Sequence, residues 1–129
     1  MTLVTPSRAI SIGAKDYLLD GSFATLRAIQ ETLRLDVVQI LINVMDMRLD
    51  EIARLIAIGS GGNADEIGQA IVDATGAITP EYALLKTNLV AWLNIAITPK
   101  ADREKKRAEM EAIIASQTKS SSPGPTINE

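Results

Sequence analysis

The chain has 129 residues, 47% of them apolar but only 3% aromatic, which suits one domain with an aliphatic core of Leu, Ile, Val and Ala. Net charge is −3 and neither Cys nor His is present, so disulfides and thiolate metal sites are excluded and the commonest general base and metal ligand are missing. There is no basic footprint for nucleic acid, no signal pattern at the N-terminus, and no apolar stretch longer than Val37 to Met45, too short to span a bilayer.

Residues 1–7 read as an arm. Ile10 and Ile12, then Tyr17 and Leu19, alternate with polar or small residues around Gly13-Ala14, and glycine at the first central position suits a type II′ hairpin turn. That turn sets Ile12 opposite Lys15, Ile10 opposite Tyr17 and Arg8 opposite Leu19, with Ile10, Ile12, Tyr17 and Leu19 on one apolar face that must lie on helices. Ser22 is placed to cap a helix with a stripe of Phe23, Leu26, Ile29 and Leu33. Asp36 is placed to cap "VVQILINVMDM", which is apolar nearly all round, so that this helix is either central to the core or shared with a partner. Asp46, Asp50 and Glu51 fit the dipole of a following helix start better than a cation site, because their spacing matches no calcium loop.

"IGSGGNADE" raises the question of a phosphate loop. The residues before it carry Leu49, Ile52, Leu55 and Ile56 at helical spacing rather than a strand, and Asp65 and Glu66 would repel an anion. A helix corner explains it: Gly59 stops one helix, and Asn63 and Glu66 form a capping box for a short helix from Ala64 to Thr75 that Gly76 ends. The same region has the outline of a helix-turn-helix, but its second helix bears Asp65, Glu66 and Asp73 without Lys or Arg, which opposes contact with DNA phosphates.

Thr79-Pro80-Glu81 is a cap, a first-turn proline and an acid at the positive end, opening a helix that presents Tyr82, Leu85, Leu89, Trp92, Leu93, Ala96 and Ile97. Thr98-Pro99 ends it and begins a charged helix, residues 99–116, with an Asp102–Lys106 pair and only Met110, Ile113 and Ile114 to dock it loosely. Residues 117–129, rich in Ser, Pro and Gly, are expected to be disordered. The predicted fold is mainly α, formally α+β: an N-terminal β-hairpin and a compact bundle of about five to six helices, with hairpin and helical core spanning residues 8–98.

The stretch "RAISIGAKDYLLDGSFATLRAIQETL" resembles the start of tail assembly chaperones of long-tailed phages and gene transfer agents, with Ile10, Ile12, Gly13, Tyr17, Leu19, Phe23, Leu26 and Ile29 in the matching places and Gln30-Glu31 at the polar helix end. The resemblance implies a small non-enzymatic protein that coats the apolar, helical tape-measure protein until tail-tube subunits polymerise around it. It also implies work in the bacterial cytoplasm, absence from the mature particle, and in many cases a longer frameshifted form. The pattern marks no binding residue. Large apolar side chains on the two most apolar helices make Val38, Leu41, Ile42, Met45, Leu89, Trp92 and Leu93 the candidate client contacts of a homo-oligomer. No catalytic residue, cofactor, metal, nucleic acid or membrane contact is expected. The rivals are a structural tail completion or terminator component and, opposed by charge, a DNA-binding regulator.

Overall fold

The computed structural model describes residues 7–76 and 78–120. Strands β1 (Arg8–Ile12) and β2 (Lys15–Leu19) form an antiparallel hairpin in the register that the two-residue turn predicts, with Ile12 opposite Lys15 and Ile10 opposite Tyr17. Gly13 supplies the turn's positive φ of 62°, while Ala14 has none, as a type II′ turn requires. Ile10, Ile12 and Leu19 are buried and Tyr17 half-buried, so the predicted apolar face lies on helices. Asp20 N–H donates to the Gly59 carbonyl at 2.9 Å, tying the hairpin's end to the helix beneath it.

Six α-helices follow among the described residues: α1 (Phe23–Leu33), α2 (Val37–Asn43), α3 (Leu49–Ser60), α4 (Ala64–Ala74), α5 (Pro80–Ala96) and α6 (Arg103–Ser120). Their caps are largely those that the sequence offers. Ser22 Oγ accepts from Thr25 N–H at 3.4 Å, Asp36 from Val38 N–H at 3.0 Å, and Thr79 Oγ1 from Tyr82 N–H at 3.2 Å. The acids after Asp46 are absorbed by the start of α3, where Glu51 accepts from Arg48 N–H at 3.1 Å and Asp50 takes the Arg48 guanidinium at 3.0 Å.

Several local expectations are corrected. Gly59 does not stop α3: it lies buried inside the helix, and Gly61 at φ 73° is the left-handed cap. Asn63 accepts from Glu66 N–H at 3.0 Å, but Glu66 makes no return bond, so the capping box is only half formed. Phe23 leaves the α1 stripe for solvent, with the Arg27 guanidinium 5.7 Å over its ring. The segment after Asp36 is α-helical only to Asn43 and then tightens into a 3₁₀ turn, Val44–Asp46. Lys106 pairs with Glu109 at 3.2 Å rather than with Asp102, because Asp102 sits in a separate 3₁₀ turn, Lys100–Asp102. Helix α6 continues to Ser120, one turn beyond the boundary expected at 116. Residues 1–6 of the arm and 121–129 of the tail lie outside the described residues.

The main core joins the hairpin to α1 through α5 and is aliphatic around two buried aromatic rings, those of Trp92 and Tyr82. A second, smaller cluster lies on the other side of α5, where Met110 and Ile114 of α6 pack on Val90, Ala91 and Ile95. Helix α5 is therefore covered on two faces and is the central helix of the fold. Arg8 adds a polar tie: its guanidinium donates to Asn88 Oδ1 of α5 at 2.8 Å and to Glu111 of α6 at 2.8 Å.

Candidate partner-binding surface

The connection before α2 is tightly determined. Arg34 closes α1 in the left-handed conformation, φ 61°, and its N–H donates to the Gln30 carbonyl at 2.8 Å. The Gln30 side chain then accepts from Val37 N–H at 2.8 Å, and Asp36 and Gln39 cap the new helix reciprocally. These bonds fix how α2 is rotated. Ile40 and Val44 face inward and are fully buried, with Val37 and Leu41 half-buried beside them. At the other end Lys86 donates to the Met45 carbonyl at 2.7 Å, satisfying an otherwise open helix terminus, while its ammonium lies 4.8 Å from the centre of the Tyr82 ring.

With that rotation set, the outward side should be polar, and it is not. Val38, Ile42 and Met45 recur every third or fourth residue along one side, with Leu35 just before the cap, and the exposures of Leu35, Val38, Ile42 and Met45 are 37%, 45%, 71% and 40%. Exposed Leu18, Phe23, Val72, Ile78 and Ile113 stand elsewhere in the chain, whereas these four fall within eleven consecutive residues of α2 and its two flanks. An apolar stripe with a methionine at its end can receive an apolar helix and adapt to its side chains.

Of the candidate contacts, Val38, Ile42 and Met45 lie on this stripe and Leu41 lies at its inner margin. Leu89, Trp92 and Leu93 do not. All three have zero exposure in the main core, so they hold the fold together and no partner reaches them. Leu35 lies outside the predicted helix because it precedes the Asp36 cap. Two polar atoms in the core, Tyr82 Oη and Trp92 Nε1, are buried without a hydrogen-bond partner, and burial raises the Tyr82 pKa.

Among the described residues no group of three or more acids is placed to hold a metal ion, and no helix is long and apolar enough to cross a membrane. The α4 surface carries exposed Asp65, Glu66, Gln69 and Asp73, a poor face for phosphates. Comparison of the chain with protein-family models, with curated proteins and with solved structures finds no match.

Proposed function

We propose that this chain is a tail assembly chaperone, which binds apolar helical segments of a tape-measure protein and keeps them apart until tail-tube subunits close around them. It works as a homo-oligomer in the bacterial cytoplasm and leaves before the particle is complete. The observation that carries the reading is the exposed apolar stripe of Leu35, Val38, Ile42 and Met45, on and immediately beside the reciprocally capped helix α2. Support also comes from the N-terminal pattern of Ile10, Ile12, Gly13, Tyr17 and Leu19, which resembles that of such chaperones.

The test is co-expression with helical segments of a tape-measure protein. Wild type should hold such a segment soluble and co-purify with it, and Ile42→Lys, which places a charge on an already exposed position, should weaken capture at least about tenfold, or 1.4 kcal/mol. Capture of no segment by wild type, or equal capture by folded Ile42→Lys, overturns the proposal. An inventory of finished tails separates it from a structural component, since the chaperone should be absent there. Duplex DNA binding with steep salt dependence would instead identify a regulator.

A further inference from the structure

Strand β1 is paired on one side only. Across a two-residue turn the pairs Ile12–Lys15, Ile10–Tyr17 and Arg8–Leu19 exchange the backbone bonds, so the N–H and C=O groups of Ala9 and Ser11 point away from β2. No other backbone group among the described residues reaches them. Beyond this edge lies a groove of about 450 Å³, walled opposite by Ala74 at the end of α4 and by Glu81, Leu84 and Leu85 of α5. Asn88, held by Arg8 at 2.8 Å, stands at the Arg8 end.

We propose that this groove binds an extended peptide, which adds to β1 as a third, antiparallel strand with a cationic residue at its leading end against Glu81. The backbone chemistry selects an extended chain. Open donors and acceptors that recur at every second residue, about 7 Å apart, match another strand, whereas a helix has already satisfied its own groups. Five residues of β1 set the length of the entrant at about five.

Direction and charge follow from α5. From Asn88 at the Arg8 end, the helix runs back about 10 Å to Glu81, roughly the length of β1 from Arg8 to Ser11. Glu81 and Gly13 line the same groove, and an antiparallel entrant begins at the Gly13 end. Glu81 is exposed in the first turn of α5 and forms none of the ion pairs among the described residues. Half-buried Leu84, with the edge of core residue Leu85 behind it, offers an apolar wall to alternate side chains of the entrant, so aliphatic β-branched residues suit its inner positions. The groove shares no residue with the α2 stripe, and the proposal stands independently of any role for that stripe.

The probe is the peptide amide Lys-Thr-Val-Thr-Val, whose Lys and two Val share one face, with a fluorophore at its C-terminus, followed by anisotropy and by amide exchange in NMR. Saturable binding should slow exchange at Ala9 and Ser11. Ser11→Pro deletes an edge donor at a position where proline is tolerated, and should weaken binding at least about tenfold. Glu81→Gln should weaken it about threefold and flatten its salt dependence. The same peptide methylated on the backbone nitrogens facing β1 should not bind wild type, an arm that does not depend on any variant folding. No saturable binding up to about 1 mM, equal affinity for folded Ser11→Pro, or binding that perturbs the α2 stripe and not β1 overturns the proposal.

Discussion

Gly59 shows how one hydrogen atom decides the packing between α3 and α5. A Cβ added there would lie 2.8 Å from two ring carbons of Trp92 and 3.1 Å from Leu19 Cδ2, and neither the fully buried indole nor the fully buried Leu19 has room to retreat. Gly59→Ala should therefore cost about 1–3 kcal/mol in urea unfolding, the range for overpacked cores, and an unchanged midpoint would show that the ring can move. Gly61 is the control of opposite kind: open space surrounds it, but its φ is 73°, so Gly61→Ala costs about 1 kcal/mol through the backbone alone. Arg34 occupies the same left-handed region at φ 61° without being glycine. Arg34→Gly should gain about 0.5 kcal/mol, the relief of that strain less the extra entropy of an unfolded glycine. From sequence, "GSGG" announced a corner, but which glycine takes the positive φ depends on where Trp92 lies, and that is a tertiary fact.

At the scale of elements, caps and hairpin were legible because their signals are local: Ser22, Asp36, Thr79 and Gly13 each act within a few residues. The depth of a helix was not. Pattern placed α2 at the centre or against a partner, yet α5 is the helix covered on both sides, and the reason lies in its second face. Ala91 is small, so beside Ile95 it draws no strong stripe, and the arrival of Met110 from α6 makes it interior. The expectation that α6 docks through Met110 and Ile114 agrees with the structure, while Ile113 points outward. What spacing could not show is the tie from Arg8 to Glu111, since the two residues are 103 apart in the chain. The Arg8 hydrogen bond, with the charges of Arg8 and Arg107, lowers the Glu111 pKa below its ordinary 4.5. A carboxylate lowered in the folded state contributes stability that is present above about its ordinary value and is lost as pH falls through the lowered one. Wild type should thus be more stable than Glu111→Gln at neutral pH, by under about 1 kcal/mol because the carboxylate is half exposed, and the difference should vanish in strong acid. Parallel stability curves for the two proteins across that range would show that the ion pair contributes nothing.

The whole molecule poses the question of what becomes of the α2 stripe when no partner is present. The main core accounts for Ile40 and Val44 on the inner side of α2, and its polar ends are satisfied by Asp36, Gln39, Gln30 and Lys86, so the helix has no internal reason to turn its outer side inward. Leu35, Val38, Ile42 and Met45 then remain in water unless a second surface covers them, and the most available apolar helix is the same stripe on another copy. The exposure of Val38, Ile42 and Met45 was legible because an all-round apolar run must place some side chains outward wherever the core lies. The burial of Leu89, Trp92 and Leu93 was not, because composition cannot tell an apolar side chain that faces a partner from one that faces the chain's own core. The proposed self-association predicts a definite pattern in sedimentation. Wild type should shift to larger species as concentration rises, and more so in sulfate, which strengthens apolar association while screening charge. Ile42→Lys should remain monomeric at the same concentration with unchanged circular dichroism, because a residue already 71% exposed can carry an ammonium group into water without disturbing the core. Trp92→Ala, by contrast, should lose about 3–5 kcal/mol and unfold before any change in assembly is seen. A client helix that competes for the stripe should return wild type to smaller complexes by mass action. If Ile42→Lys associates as wild type does, the copies meet through another face and the stripe is open to a client at all times.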